Sequence, residues 1–299
     1  MFNLLRSDLW RIVRMPSFWF LTLLVVASLA SLAWFMDYLA SPEFAQSVNA
    51  SIQDKIQEDN QASLEEYTDE GLALNAKSMQ SVPYTWANTF LDGGMLGIIG
   101  SLLAAIFLIS DFKSGFIKVL PMDRRGRWRY FGEKTILVLI LQAYVLVLCA
   151  ATSFLAFQAF GFTYEETSSI GDVALWLLCA WLYASAMALV VSFITWIWKS
   201  EAVSSLVALF ISGGILGAVL LQLIYYFTNA VRFLSLVPQW LLISAQADLR
   251  TGDAALFAPS TYEAFTVVPV WAHEVIICAL FIALSCAVIF GLCRKRDLA

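Results

Sequence analysis

Charged residues are few in this chain. Asp, Glu, Lys and Arg make up 14% of its 299 residues, while 60% are hydrophobic. An ordinary soluble domain carries about a quarter charged residues, so that class is excluded. Histidine occurs once, at His273, followed by Glu274. The pair hints at a zinc motif, but Ile277 stands where H-E-x-x-H needs its second histidine. A single histidine also leaves no credible Ser/His/Asp set, and no G-x-S-x-G occurs. There is no G-x-x-x-x-G-K-[ST] stretch, so the chain has no P-loop to cradle a nucleotide phosphate. The five cysteines (Cys149, Cys179, Cys278, Cys286, Cys293) lie in or at the end of apolar runs, never in C-x-x-C spacing. They read as small core hydrophobes rather than ligands or disulfide partners. A net charge of −5 and the lack of a basic, aromatic-interleaved face argue against a nucleic-acid partner. No catalytic residue and no metal ligand is assigned.

Long apolar runs are what the chain has in quantity. Six are spaced as membrane spans: Ser17–Met36, Gly93–Ser110, Thr135–Phe160, Val173–Trp198, Ala202–Thr228 and Val270–Cys293. The expected fold is therefore an all-α polytopic membrane protein with six transmembrane helices. Ala30-Ser31-Leu32-Ala33 imitates a signal-peptidase site, but the run before it is too long for a signal peptide, so it is read as an uncleaved anchor. Ser17–Met36, Thr135–Phe160, Val173–Trp198, Ala202–Thr228 and Val275–Cys293 contain no charge. A proton- or ion-coupled carrier needs a titratable or coordinating group at depth, so any work this chain does is powered from elsewhere.

The cations are concentrated. Asp111–Lys134 holds seven of the eighteen Lys and Arg residues (Lys113, Lys118, Arg124, Arg125, Arg127, Arg129, Lys134) between two apolar runs. Placing both termini, this loop and Lys199 on one side gathers fourteen of the eighteen there, and the positive-inside rule makes that side cytoplasmic. Residues 1–16 read as an amphipathic interfacial helix. Leu5, Leu9, Ile12 and Val13 share its apolar face, Trp10 lies at headgroup level, and Arg6, Arg11 and Arg14 reach for anionic lipid. Within the loop, Asp111–Leu120 has the length of a short helix that Pro121 stops. Such a helix can dock a cytosolic partner, or the loop can simply bind anionic lipid and set topology.

Two segments outside the spans are unusual. Residues 37–92 form an acidic extracytoplasmic insert, with Asp54, Glu58, Asp59, Glu65, Glu66, Asp69 and Glu70 against only Lys55 and Lys77. It can steer a cationic peptide by its field, or be a solvated face. Residues 229–269 are apolar but broken by Pro238, Pro259 and Pro269, in pieces too short to span, which predicts re-entrant or interfacial helices between spans five and six. Small residues recur at Gly93, Gly97, Ser101 and Ala105, and again at Gly213, Gly214, Gly217 and Ala218. Such stripes let helices approach closely, either as plain packing or as a dimer seam or pathway.

The layout resembles an ABC-2 type transporter permease. The local likeness is Asp111-x-x-x-Gly115-x-x-Lys118-Val119-Leu120-Pro121-x-x-Arg124 followed by Lys134, similar to that family's acid, glycine, "LL-x-P-x-R" and lysine after span two, with Asp111 where the family usually has Glu. The basic ending Arg294-Lys295-Arg296-Asp297-Leu298 is also similar. Around Asp111–Lys118 the chain is most like permeases of lantibiotic-immunity and bacitracin-type exporters. The resemblance implies a single permease domain over 1–299 in the bacterial cytoplasmic membrane, both termini cytoplasmic. It implies a coupling helix seated in a separate P-loop ATPase subunit, present in two copies and holding ATP and Mg, and a second permease copy or paralogue. The coupling residues would be Asp111, Lys113, Gly115, Phe116, Ile117, Lys118, Leu120, Pro121 and Arg124. Phe116, Ile117 and Leu120 form the apolar wedge, and Lys113 and Lys118 pair with acids on the ATPase. The cargo would be an antimicrobial peptide or another amphiphile taken from the membrane. A different class also fits the composition: a non-transporting sensor or assembly protein whose acidic arm binds a partner.

Overall fold

Pro16 opens the first long helix, where its missing N–H costs nothing because the first turn has no partner for it. The computed structural model of the protein describes residues 2–41, 44, 77–114, 124–166, 168–228, 232–253 and 255–295. Most of the acidic insert, the segment Gly115–Pro121 and the end of the basic tail lie outside them. Among the described residues ten α-helices follow in order: α1 Phe2–Arg14, α2 Pro16–Leu39, α3 Val82–Trp86, α4 Met95–Lys113, α5 Arg124–Ala159, α6 Ile170–Trp198, α7 Glu201–Ser212, α8 Ile215–Thr228, α9 Leu242–Leu249 and α10 Val270–Lys295. The protein is mostly helical, and among the described residues five helices are long and apolar enough to cross a membrane. The pair α7 and α8 adds a sixth if taken as one span, bent by 56°. Gly213 and Gly214 make that bend, Gly214 at φ +76°, where an L side chain is strained.

Helix α6 is the hub, packed against α4, α5, α7 and α10. Ala180, Ala184, Ala186 and Ala188 are fully buried on it and let those neighbours come close, while Trp176 and Tyr183 fill the remaining space. The small-residue stripe of α4 is spent inside the chain, against α7. A Cβ on Gly97 would lie 3.1 Å from the Ser212 carbonyl oxygen, and the Ser101 and Ser212 hydroxyls are 2.8 Å apart. Ala105 joins Ala208 and Val191 one turn on. The close contact at the start of the stripe is made by Gly94 on Gly213, whereas Gly93 has nothing near it. Gly217 lies against Ile243, where a Cβ would meet its side chain at 3.1 Å.

The structure moves several boundaries. Helix α5 starts at Arg124, eleven residues before the expected span, so the later basic residues of the loop are helical rather than turn. The last twelve residues of the insert also fold inward: Ser81 caps α3, and Trp86, Phe90 and Leu91 are buried. A two-residue parallel ladder, β1 (Ser78–Met79) on β2 (Thr163–Tyr164), ties the insert's end to the α5–α6 turn. Between α8 and α10 the described pieces are short turns of 3₁₀ helix and α9, none long enough to span. They close over α10 by way of His273. That residue is fully buried: its Nε2 donates to the Gln239 carbonyl at 3.0 Å and its Nδ1 lies 2.7 Å from Asp248. Tyr262 and Phe265 cover the ring. Burial, aided by the Asp248 charge, pushes the Tyr262 hydroxyl up to about 12, so it remains a donor at neutral pH.

Candidate functional site

Helix α1 is amphipathic, but one acid falls on its inner side. Asp8 is fully buried, and so is Ile12 one turn later, while Trp10 and Val13 face outward. Asp8 meets two other elements. From α5, Lys134 is fully buried and ion-paired with Asp8; its Nζ also lies 2.6 Å from Asp111, the fully buried acid in the last turn of α4. Arg11, one turn beyond Asp8, reaches Asp111 at 2.9 Å and Asp8 at 3.3 Å. Each cation thus touches both acids. The four charges close a ring of alternating sign and zero net charge.

Aromatic groups finish the site. Phe107 offers its ring face to Lys134 Nζ at 4.5 Å and to the Arg11 guanidinium at 5.5 Å, both within cation–π range. The Tyr130 hydroxyl donates to Asp111 at 3.2 Å. Glu133 is buried beside the cluster, within electrostatic reach of Asp8, Asp111 and Lys134. Behind it, Tyr130, Phe131, Leu108, Trp196 and Ile289 form an apolar cluster that keeps water out.

Taking four charges from water is expensive, and mutual attraction offsets that only with full pairing. The consequence here is geometric. Asp111 ends the helix before the basic loop, Tyr130 and Lys134 lie in the helix after it, and both feet are fastened to α1. The feet cannot shift without moving α1 or breaking buried ion pairs. Lys113 adds an exposed tie from α4 to Glu201 at the start of α7.

The coupling residues expected from the sequence therefore separate. Asp111 stands behind the loop in the ion ring, not on a docking face. Lys113 is exposed and engaged within the chain by Glu201. Gly115, Phe116, Ile117, Lys118, Leu120 and Pro121 lie outside the described residues, and Arg124 is placed only as the first residue of α5. Arg11 binds the ring, and Arg14 stacks on Trp10 at 3.7 Å. Asp8, Tyr130 and Glu133 carried no signal that singled them out. Their partners are far away in sequence, and a lone acid on an amphipathic helix ordinarily faces water. Among the described residues no group of His, Cys, Asp and Glu is arranged to hold a metal ion.

No protein-family model matches this sequence, and no curated protein is similar to it at a significant level. The fold itself is that of a helical, membrane-embedded chain in which the helices on either side of the basic loop, α4 and α5, are ion-paired to α1.

Proposed function

We propose that the chain is the transmembrane permease subunit of an ABC exporter, driven by a separate P-loop ATPase acting on the basic loop. The observation that carries this reading is the ion ring: a push on the loop reaches α1 and, through the Arg14–Pro16 corner, the first span α2. The Trp19 indole donates to the Val13 carbonyl at 2.8 Å across that corner, so the two helices turn together. Charges in the described parts of the spans lie near helix ends, in line with a gate that is moved rather than one that moves ions. In this reading both termini and the loop face the bacterial cytoplasm, two ATPase copies bind ATP and Mg, and a second permease copy or paralogue completes the pathway. The cargo is a membrane-dissolved amphiphile such as a cationic antimicrobial peptide in the field of the acidic insert.

The test is co-purification. Purified from its native membrane, the chain is expected to bring a P-loop ATPase subunit through mild detergent in stoichiometric amount. Gly115→Glu or Phe116→Glu is expected to abolish the complex while the permease stays monodisperse. Absence of any complex with the unaltered chain overturns the reading in favour of a non-transporting membrane protein.

A further inference from the structure

The bend between α7 and α8 opens two cavities, of about 340 and 160 Å³, that share Gly214, Ile243 and Gln246 as a common wall. The larger alone falls in the size range of small-molecule sites, roughly 300–1,000 Å³. The smaller chamber is apolar, walled by Met187, Val190, Leu220 and Phe281. The larger has a charged rim, where Arg250 and Asp92 pair at 2.8 Å and both remain more than a third exposed.

Gln246 decides what fits. It is 8% exposed, and its Nε2 donates to the carbonyls of Leu91 at 3.0 Å and Asp92 at 3.4 Å, which fixes the orientation of the amide. The Oε1 atom is consequently turned to the shared wall, where a Cβ on Gly214 would lie 3.6 Å from it. Among the described residues nothing donates to that oxygen. The side chain is held and nearly buried while its oxygen opens onto the cavity, so the crevice offers an oriented acceptor to an occupant that brings a donor. Helix α8 itself has no buried residue, and Leu216, Leu220 and Leu223 are all more than a third exposed, so the crevice adjoins the lipid-facing surface.

We infer that this crevice is a binding site for a zwitterionic membrane amphiphile of the aminoethyl-phosphate type. Its ammonium donates to Gln246 Oε1 and Asp92, its phosphate takes Arg250, and an acyl chain fills the apolar chamber. Two opposite charges at the rim match the two charges of that headgroup, and an anionic lipid that draws Arg250 from Asp92 to its phosphate brings no ammonium to replace it. The ligand would bridge α8 to α9 and to the start of α4, holding the bend open. This site is separate from the ion ring and stands whether or not an ATPase drives the chain.

The experiment uses the full chain in liposomes containing phosphatidylethanolamine with a photoactivatable diazirine in its acyl chain. Photolysis and peptide mass spectrometry are expected to find label at Met187, Val190 or Ile243, in addition to the outward α8 side chains. Val190→Trp, which fills the chamber, is expected to remove the inner label and spare the outer. Arg250→Gln is expected to lower the inner label about tenfold, the factor supplied by one charge-assisted hydrogen bond. The same diazirine on phosphatidylglycerol is expected to label the inner positions far less. Label confined to outward side chains, or equal inner labelling by the two lipids, overturns the assignment. Since no ATPase takes part, failure here leaves the transport proposal untouched.

Discussion

Lys134→Met is expected to leave little folded protein in detergent. Removing one partner from a buried ion pair costs about 3–5 kcal/mol, because the opposite charge stays in a low-dielectric site with nothing to answer it. Here the loss is sharper in kind, since Asp8 and Asp111 would face each other with Arg11 as the only described cation touching both. A typical domain is stable by roughly 5–15 kcal/mol, so this single change removes a large share. Two companion variants separate charge from packing. Tyr130→Phe removes one hydrogen bond to a carboxylate and should cost about 1.5–3 kcal/mol. Asp8→Asn combined with Lys134→Met restores neutrality, leaving Arg11 on Asp111, and should be more stable than Lys134→Met alone despite the additional substitution. Thermal unfolding in detergent gives the order. If Lys134→Met costs under about 1 kcal/mol, as exposed ion pairs do, the ring is not buried in the working protein.

The second large effect is expected at Gly94. Alanine there would place its Cβ 2.9 Å from both the Gly213 Cα and the Ser212 carbonyl oxygen, backbone atoms that cannot rotate aside. Gly94 also sits at φ +68°, a conformation that costs an L residue about 1–2 kcal/mol. Overpacking a close contact adds typically 1–3 kcal/mol. Gly94→Ala should therefore lower stability by about 2–5 kcal/mol, enough to lower the melting temperature by many degrees. Gly93→Ala is the matched control: no atom lies within 4 Å of its added Cβ and its φ is not positive, so it should melt with the unaltered protein. Equal melting of the two variants would mean that α4 and α7 do not touch at this point.

Much of the fold was legible because hydropathy carries it. The apolar runs correspond to helices, and the prolines of 229–269 do break that stretch into short pieces. Legibility failed where a local pattern has two structural meanings. The Gly213-Gly214 pair reads as a packing patch in sequence, and it is also the bend, because the same absence of Cβ permits close approach and a positive φ. The arginines from Arg124 onward read as loop by composition, yet arginine is a good helix former and α5 simply starts early. His273 is noticed in sequence only for its near-miss to a zinc motif, whereas its buried contact with Asp248, twenty-five residues before it, has no local signal. The ion ring was the least legible feature. Asp111 and Lys134 were visible as family-like positions, but Asp8 is 126 residues from Lys134 and Arg11 is 100 from Asp111. Only tertiary packing brings such residues together, and no periodicity reports it.

The central claim is that the ion ring clamps α1 to the basic loop. Amide hydrogen exchange tests it most directly, comparing the unaltered chain with Asp8→Asn/Lys134→Met in the same detergent. The clamp predicts that amides across Phe2–Arg14 lose protection in the double variant while those of α8, which contributes no residue to the ring, exchange as before. Unchanged protection of α1 would contradict it, leaving the N-terminal helix held by its apolar face alone and the loop without a mechanical link to the first span.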